Sequence, residues 1–377
     1  MRILMVSKAL VVGMYQRKLE ELAAEPDIEL TVAVPPFWRE RGHDLRLERS
    51  FTEGYKLHTL PIRFNGHFHV HFYQGLGSLL DRVRPDLLHF DEEAYNLSTW
   101  LALQQARRRG IKVAFYSWQN IQQRYPIPFR WIEAEVLSRA DLGFAGNQDA
   151  ARILRLKGFK GPLHVVPQFG IDPELFTPEG FSTQPPRPFT VGFVGRLVPV
   201  KGLDVLLNAV AGLDGDWRLE VVGTGPERQN LETQVQSLGL GSRVVFHGRV
   251  ASTRMPEVLR GFDVLAGPSL TSKRWKEQFG RMLVEAMACQ VAVVGSDSGE
   301  IAQVIGDAGL VAPEGDVAAL RSALLRLRDD PQLRRSLAEA GRRRVLAEYT
   351  QAAVASRTAD AYRLVLGTSK LSSPCTL

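Results

Sequence analysis

Short apolar, β-branched runs alternate with stretches of helical spacing along almost the whole chain. Arg2 to Ser7 reads as a buried strand, Gln16 to Ala24 as a helix and Glu29 to Val34 as the next strand. Pro85-Asp86 introduces a strand from Leu87 to Phe90. Asn96 to Arg109 has helical spacing, and Ile111 to Tyr116 returns as a strand. Asp141 to Ala145, Asp149 to Lys157 and Leu163 to Val166 repeat the alternation. Continuous apolar strands separated by amphipathic helices predict a parallel sheet covered on both faces.

The pattern then breaks. Pro173, Pro178, Pro185, Pro186 and Pro188 crowd into one segment with Gly180, Ser182 and Thr183, a composition expected of a surface linker. Beyond it the alternation restarts. Phe189 to Val194, Arg218 to Val222, Val244 to His247, Asp263 to Ala266 and Val291 to Gly295 read as strands, with helices between them such as Gly202 to Gly212 and Glu227 to Leu238. Helical patterns fill Val317 to Leu366. The expectation is α/β throughout: one Rossmann-like domain over residues 1–170, a linker over 171–188 and a second domain over 189–350. Two such halves imply facing parallel sheets with a cleft between them, and ligands of these sheets bind outside the carboxyl ends of the strands.

Length and composition agree with that picture. The 377 residues suit two domains, and 45% apolar with 23% charged residues is ordinary for a globular chain. Disorder is expected only in the tail from Thr368 to Leu377. Two cysteines, Cys289 and Cys375, make no disulfide framework, so a reducing cytoplasm is the simplest setting. Met1 to Val12 starts like a signal peptide, but Ser7 and Lys8 break the apolar run and no small-residue cleavage site follows. No apolar stretch approaches the roughly 20 residues of a membrane span. The net charge of +6 suits acidic partners such as nucleotides or an anionic membrane. The arginine runs Arg107–Arg109 and Arg342–Arg344 fall late in helical patterns, where cations complement the helix dipole, so neither requires nucleic acid.

The most informative segment is KEQFGRMLVEAMAC, Lys276 to Cys289, in which seven residues separate Glu277 from Glu285. The apolar spacing of Met282, Leu283, Ala286 and Met287 predicts a helix beginning near Phe279. Glu277 then precedes the helix and Glu285 lies along it. Unpaired N–H groups beside Phe279 and Gly280 would face a diphosphate, and the two carboxylates could accept hydrogen bonds from two sets of sugar hydroxyls. A second cluster, GFVGRLVPVKG, ends a strand at Gly195 and places Arg196 and Lys201 in the loop that follows. Arginine by its fork and lysine as a point charge would neutralise a diphosphate without a metal. Gly223, in Val222-Gly223-Thr224-Gly225-Pro226, marks a third turn after a strand.

Together GRLVPVKG, VVGTGP, FHGRV, WKEQFGRMLVEAMA and SDSGEIAQVIGDAGLV resemble the retaining glycosyltransferases of family 4, which have the GT-B fold. The resemblance is strongest from Phe189 to Pro313. It implies that Gly195, Arg196 and Lys201 hold the donor diphosphate. Glu277 would bind hydroxyls of the donor sugar, with Gln278, Phe279, Gly280 and Arg281 beside it, and Glu285 would bind the ribose. Arg249 and Val250 would border the base. The terminal helix, about 351–366, would return to the first domain. In the first half, the loop Lys8 to Tyr15 offers a single glycine, Gly13, for the diphosphate. His89, Glu92, Glu93 and Asn120 fall where the family binds acceptor and sugar. The implied donor is UDP- or GDP-linked, with no further cofactor and no metal. The implied acceptor is a glycan or lipid-linked glycan, reached by peripheral contact with an anionic membrane at the inner face. Rival readings are a sugar-nucleotide epimerase of the same fold and a non-catalytic nucleotide-sugar-binding protein.

Other signals point elsewhere. Asp214-Gly215-Asp216 mimics a metal-binding pair but falls between a helix and the start of a strand, at the wrong edge of the sheet. His67, His69 and His71 alternate but lack the further ligand that a metal site needs. Cys289 follows the helix of the glutamate pair and is expected to be buried.

Overall fold

The computed structural model describes residues 1–40, 43–178 and 187–368. It divides into two units, Met1–Gly170 with Gln351–Leu377, and Ile171–Thr350.

In the first unit the elements run β1 (Arg2–Val6), α1 (Arg17–Ala23), β2 (Glu29–Val34), β3 (Phe37–Glu40), β4 (His43–Arg46), β5 (Lys56–Thr59), β6 (Ile62–Arg63), β7 (Phe72–Tyr73), α2 (Leu76–Val83), β8 (Leu87–Phe90), α3 (Leu97–Arg107), β9 (Lys112–Ser117), α4 (Phe129–Arg139), β10 (Leu142–Ala145), α5 (Gln148–Leu156) and β11 (Leu163–Val165). Seven strands form a parallel sheet in the order β11-β10-β9-β8-β1-β2-β5. All four residues of β8 are buried, as they must be when helices cover both faces. Strand order reverses between β1 and β8, so their carboxyl ends open the crevice where such sheets take ligands. Helix α5 starts where the Asn147 side chain accepts the Ala150 N–H at 2.8 Å. The small hairpins β3–β4 and β6–β7 lie outside the main sheet and carry no strong alternation in the sequence.

The second unit contains β12 (Phe189–Val194), α6 (Leu203–Val210), β13 (Trp217–Val222), α7 (Arg228–Ser237), β14 (Val244–Gly248), α8 (Met255–Arg260), β15 (Val264–Gly267), α9 (Arg281–Ala288), β16 (Ala292–Ser296), α10 (Ile301–Ile305), β17 (Leu310–Ala312), α11 (Val317–Asp329) and α12 (Pro331–Glu348). Its six-stranded parallel sheet has the order β14-β13-β12-β15-β16-β17, with the reversal between β12 and β15. Asp316 and Asp330 cap α11 and α12 by accepting backbone N–H groups of the first turns. The proline-rich segment begins inside this unit. Ile171 and Phe176 are buried against Leu259, Phe262 and α9, while 179–186, which carries Pro185, Pro186 and Gly180, lies outside the described residues.

Two glycines let the loops at the carboxyl edge of this sheet close on each other. Gly223 has φ +140°, and a Cβ there would stand 1.8 Å from the Gly195 carbonyl oxygen. Gly202 has φ +66°, and a Cβ there would stand 1.9 Å from the Pro268 carbonyl oxygen. Both obstacles are backbone, which cannot swing aside as a side chain can.

The last helix, α13 (Gln351–Leu366), belongs to the first unit. Val354, Ala355, Ala359 and Tyr362 are buried with Leu19 and Leu22 of α1. Arg363 pairs with Glu25 at 2.7 Å and with Asp27. Inside, the Tyr362 hydroxyl lies 2.5 Å from His89 Nδ1, and the imidazole stacks on Phe144 with centroids 4.8 Å apart. Burial lowers the His89 pKa to about 4, helped by Lys18 and opposed by Asp91.

His89 is held neutral when folded and titrates near its ordinary value when unfolded, so the unfolded chain binds the extra proton first. The stability this contributes is present above about pH 6.5 and is lost as the pH falls through about 4. Urea unfolding of the parent and of His89→Phe should show the parent losing up to roughly 3 kcal/mol relative to the variant across that window. A pH-independent difference would refute the assignment. Gly223→Ala should cost more than the roughly 1–3 kcal/mol of backbone strain alone, because the methyl also meets a carbonyl. An unchanged thermal midpoint would show that the two turns are less tightly joined than described.

Candidate functional site

At the carboxyl edge of the second sheet, the loop after β12 meets the loop after β15. Leu270 N–H donates to the Val200 carbonyl at 2.9 Å, the contact that Gly202 makes room for. This places the Lys201 ammonium 2.6 Å from Glu277 Oε2, with side chains 18% and 9% exposed. The same oxygen accepts the Ser269 hydroxyl at 3.0 Å. Trp275 lies under the ammonium, its ring centroid 4.8 Å away. The Glu277 backbone is held from the other side, its carbonyl accepting the Glu300 N–H at 3.2 Å. Arg196 is exposed on the same loop as Lys201 and has no ion pair among the described residues. Gly195 donates its N–H to Val222 O at 2.9 Å and Gly223 to Gly248 O at 2.8 Å, so the turns after β12, β13 and β14 form one hydrogen-bonded ledge. Arg249, exposed, and Val250, half-buried, follow β14 on that ledge.

Helix α9 begins two residues later than Phe279. Gly280, in the left-handed region at φ +73°, takes the N-cap position, and no side chain caps the helix. The helix dipole favours an anion at this end. One turn on, Arg281 Nε donates to Glu285 Oε1 at 2.8 Å. Burial raises the Glu285 pKa, against the pull of Arg281. Phe279 packs edge-on against Tyr349 at 5.6 Å, and Gln278 is exposed.

The first unit has a matching arrangement. Lys8, just after β1, ion-pairs with Glu92, just after β8. Glu92 is wholly buried and also accepts hydrogen bonds from Tyr73 at 3.2 Å and Asn96 at 3.1 Å, with His71 Nε2 at 3.1 Å. Burial would raise its pKa, but His71 and Lys8 outweigh that and bring it to about 2. Glu92 is thus a fully engaged support. Its neighbour Glu93 accepts the Ser117 hydroxyl and the Trp118 N–H, each at 2.7 Å. Burial raises the Glu93 pKa to about 7, opposed by those two donors. Asn120 is buried in the loop after β9, next to this carboxylate's partners.

Two expected site residues are placed elsewhere. His89 sits within β8 in the sheet's core, stacked on Phe144 beneath α13, and cannot face an acceptor. The Gly13 N–H donates to Glu48 Oε2 at 2.6 Å, so a carboxylate of the chain stands where a phosphate oxygen was expected. His67, His69 and His71 form a turn, with His71 buried and the other two exposed. No group of three His, Cys, Asp or Glu suited to a metal occurs among the described residues. Asp214 pairs with Arg328 at 2.7 Å in the turn before β13, at the amino edge of the sheet. Cys289 is buried, which raises its thiol pKa to about 12 and leaves it inert. Sequence reasoning passed over Lys8, Ser269 and Trp275. Lys8 and Trp275 each adjoin a segment already marked by its glycine or glutamate, and nothing about Ser269 stands out without the fold.

In each unit a lysine and a glutamate therefore meet across the point where strand order reverses. In the second unit two cations, an uncapped helix start and two carboxylates line one edge, an arrangement suited to a diphosphate joined to a polyhydroxylated group. The comparisons agree with this chemistry. Residues 179–344 match the family described as glycosyl transferases group 1, and residues 15–175 match glycosyltransferase family 4. A phosphatidyl-myo-inositol mannosyltransferase of Mycolicibacterium smegmatis is 30% identical over 349 residues, 87% of each chain. A 2-deoxystreptamine glucosyltransferase of Streptomyces kanamyceticus is 34% identical over 182 residues, 47% of this chain and 46% of that protein, so the chain matches about half the length of that relative. Among solved structures, sucrose-phosphate synthase from Thermosynechococcus elongatus superposes with a TM-score of 0.70 at 20% identity, covering 98% of this chain and 100% of the other, a likeness of fold. With its two Rossmann-like units and these relatives, the chain belongs to the group 1, family 4 glycosyltransferases of GT-B fold.

Proposed function

We propose that the protein transfers a hexose from a UDP- or GDP-linked sugar to a hydroxyl of a glycan or lipid-linked glycan, with retention at the anomeric carbon. The observation that carries this reading is the Lys201–Glu277 pair, 2.6 Å apart at the switch point and beside the uncapped start of α9. In the reaction the bond from the anomeric carbon to the phosphate oxygen breaks, and the nucleoside diphosphate leaves with the electron pair. The acceptor oxygen bonds to the same face of that carbon, and its proton passes to the departing phosphate. Arg196, Lys201 and the positive end of the α9 dipole stabilise the charge that grows on the diphosphate. Glu277 orients the sugar hydroxyls, and Glu285 takes the ribose once Arg281 shares it. Glu93 and Asn120 are assigned to the acceptor side.

Glu277→Gln should lower turnover at saturating donor about 10- to 100-fold, the effect of losing one charged hydrogen bond in the transition state, while nucleoside diphosphate affinity falls much less. Glu285→Ala should instead weaken nucleotide binding by about 1.5–3 kcal/mol. Product formation and calorimetric binding on the same variants separate the two. Parent-like turnover in Glu277→Gln would remove Glu277 from the sugar. Donor consumption without any acceptor would favour the epimerase reading, and tight donor binding without turnover the sensor.

We also propose reversible docking on an anionic membrane for a lipid-linked acceptor. No helix among the described residues is long and apolar enough to cross a membrane. At the start of α4, Ile127 is 74% and Trp131 55% exposed beside the exposed Arg124 and Arg130. Apolar tips flanked by cations suit an interface with acidic lipids. In the run at the end of α3, Arg109 is paired with Asp81 and Arg107 donates to the Arg139 carbonyl, which leaves them less able to contribute. Co-sedimentation with phosphatidylglycerol vesicles, weakened by salt and by a combined Ile127→Ser, Trp131→Ser change, is the expected result. Equal indifference to anionic and neutral vesicles at low salt would overturn it.

A further inference from the structure

Trp275 lies two residues before Glu277, at the tip of the loop that delivers that carboxylate. The loop is fixed at its base. Thr271 N–H donates to Glu314 at 2.8 Å, its hydroxyl lies 2.9 Å from that of Ser298, and Leu270 N–H is tied to Val200. At its tip Ser272 N–H donates to the Trp275 carbonyl at 2.8 Å, closing a tight turn. The backbone that carries the indole is therefore set in place by the loop. Its ring centroid lies 4.8 Å from the Lys201 ammonium, which Glu277 touches at 2.6 Å.

A carboxylate and an indole hold an ammonium differently. Glu277 neutralises it and takes one of its three donors. The ring attracts the cation through its quadrupole, adds no charge and accepts no lone-pair hydrogen bond. When a diphosphate approaches, its oxygens compete with Glu277 for the ammonium. A second carboxylate at the position of Trp275 would repel that diphosphate, whereas the indole does not. The ring can thus keep Lys201 at the mouth of the loop while its ion-pair partner changes from Glu277 to phosphate. Bare water in place of the ring would hydrate the lysine and leave its four-carbon stem free to choose other rotamers.

We propose that Trp275 is a positioning residue for donor binding: its indole supports the Lys201 ammonium so that the lysine is pre-set to receive the diphosphate. This rests on the assignment of Lys201 to the diphosphate made above.

The test compares charged and uncharged ligands. UDP and GDP, and uridine and guanosine, are titrated against the parent, Trp275→Leu, Trp275→Met and Trp275→Phe, with circular dichroism confirming the fold of each. Whichever diphosphate the parent binds should bind about tenfold more weakly to the ring-less variants, within about threefold to Trp275→Phe, and the nucleoside should be unaffected. A double-mutant cycle with Lys201→Ala should show that removing the ring costs little once the lysine is gone. Equal weakening of nucleoside and diphosphate, full affinity in both ring-less variants, or strict additivity with Lys201→Ala would each overturn the inference. If the parent binds neither diphosphate, the assignment of Lys201 falls first, and the proposal on Trp275 with it.

Discussion

Everything at the two candidate edges depends on a lysine meeting a glutamate where strand order reverses. In a parallel sheet the loops at the carboxyl ends point the same way, and only at the reversal do two neighbouring loops run to opposite sides and leave a crevice. Lys201 and Glu277 lie on the two loops that flank this point in the second unit, and Lys8 and Glu92 do the same in the first. The energetics of the two pairs differ. Glu92 is wholly buried, and its charge is kept only because Lys8, His71, Tyr73 and Asn96 all serve it. Removing one partner from such a network leaves an uncompensated charge, which makes the first pair a structural fixture. The second pair is less enclosed, with 18% of the Lys201 and 9% of the Glu277 side chain exposed, so it can open to a ligand at smaller cost.

Backbone approach is what brings the second pair together. Lys201 lies next to Gly202, and the Pro268 carbonyl occupies the space a side chain at Gly202 would need. Through that contact the loop after β12 is laid directly against the loop that ends in Glu277. Gly223 does the same for the turn after β13 against Gly195. The glycines of the sequence motifs are thus explained without direct contact to a ligand, since the chain's own carbonyls already require them.

Much of the fold was legible because parallel strands buried on both faces are continuously apolar. Glu29–Val34, Leu87–Phe90 and Phe189–Val194 match the strands to the residue. The small antiparallel pairs β3–β4 and β6–β7 were not legible, because β4 is exposed throughout and β6 and β7 have two residues each, too few for a period to show. Helices α2 and α4 were missed for a related reason. The first lacks a side-chain cap and starts at a left-handed Gly75, and the second follows a proline-rich stretch that reads as loop.

The candidate site was legible where a motif combines chemistry with spacing and illegible where the partner is distant in sequence. Glu277 and Glu285 declare themselves by their interval, but the separation of 76 positions between Lys201 and Glu277 hides their contact. The same separation hides the Glu48 carboxylate that holds the Gly13 N–H, 35 residues away, and it is the reason that loop was misread as open to phosphate. A glycine after a first strand does show that the backbone is approached closely there, yet it cannot say by what. In this chain the approaching group is a carboxylate of the same unit. Such an internal anion satisfies the hydrogen-bonding demand of the turn as well as a phosphate would, and it gives the first loop a defined shape with no ligand present. The second unit keeps the opposite arrangement: Arg196 is exposed, Lys201 meets its carboxylate at the switch point, and the start of α9 carries no side-chain cap.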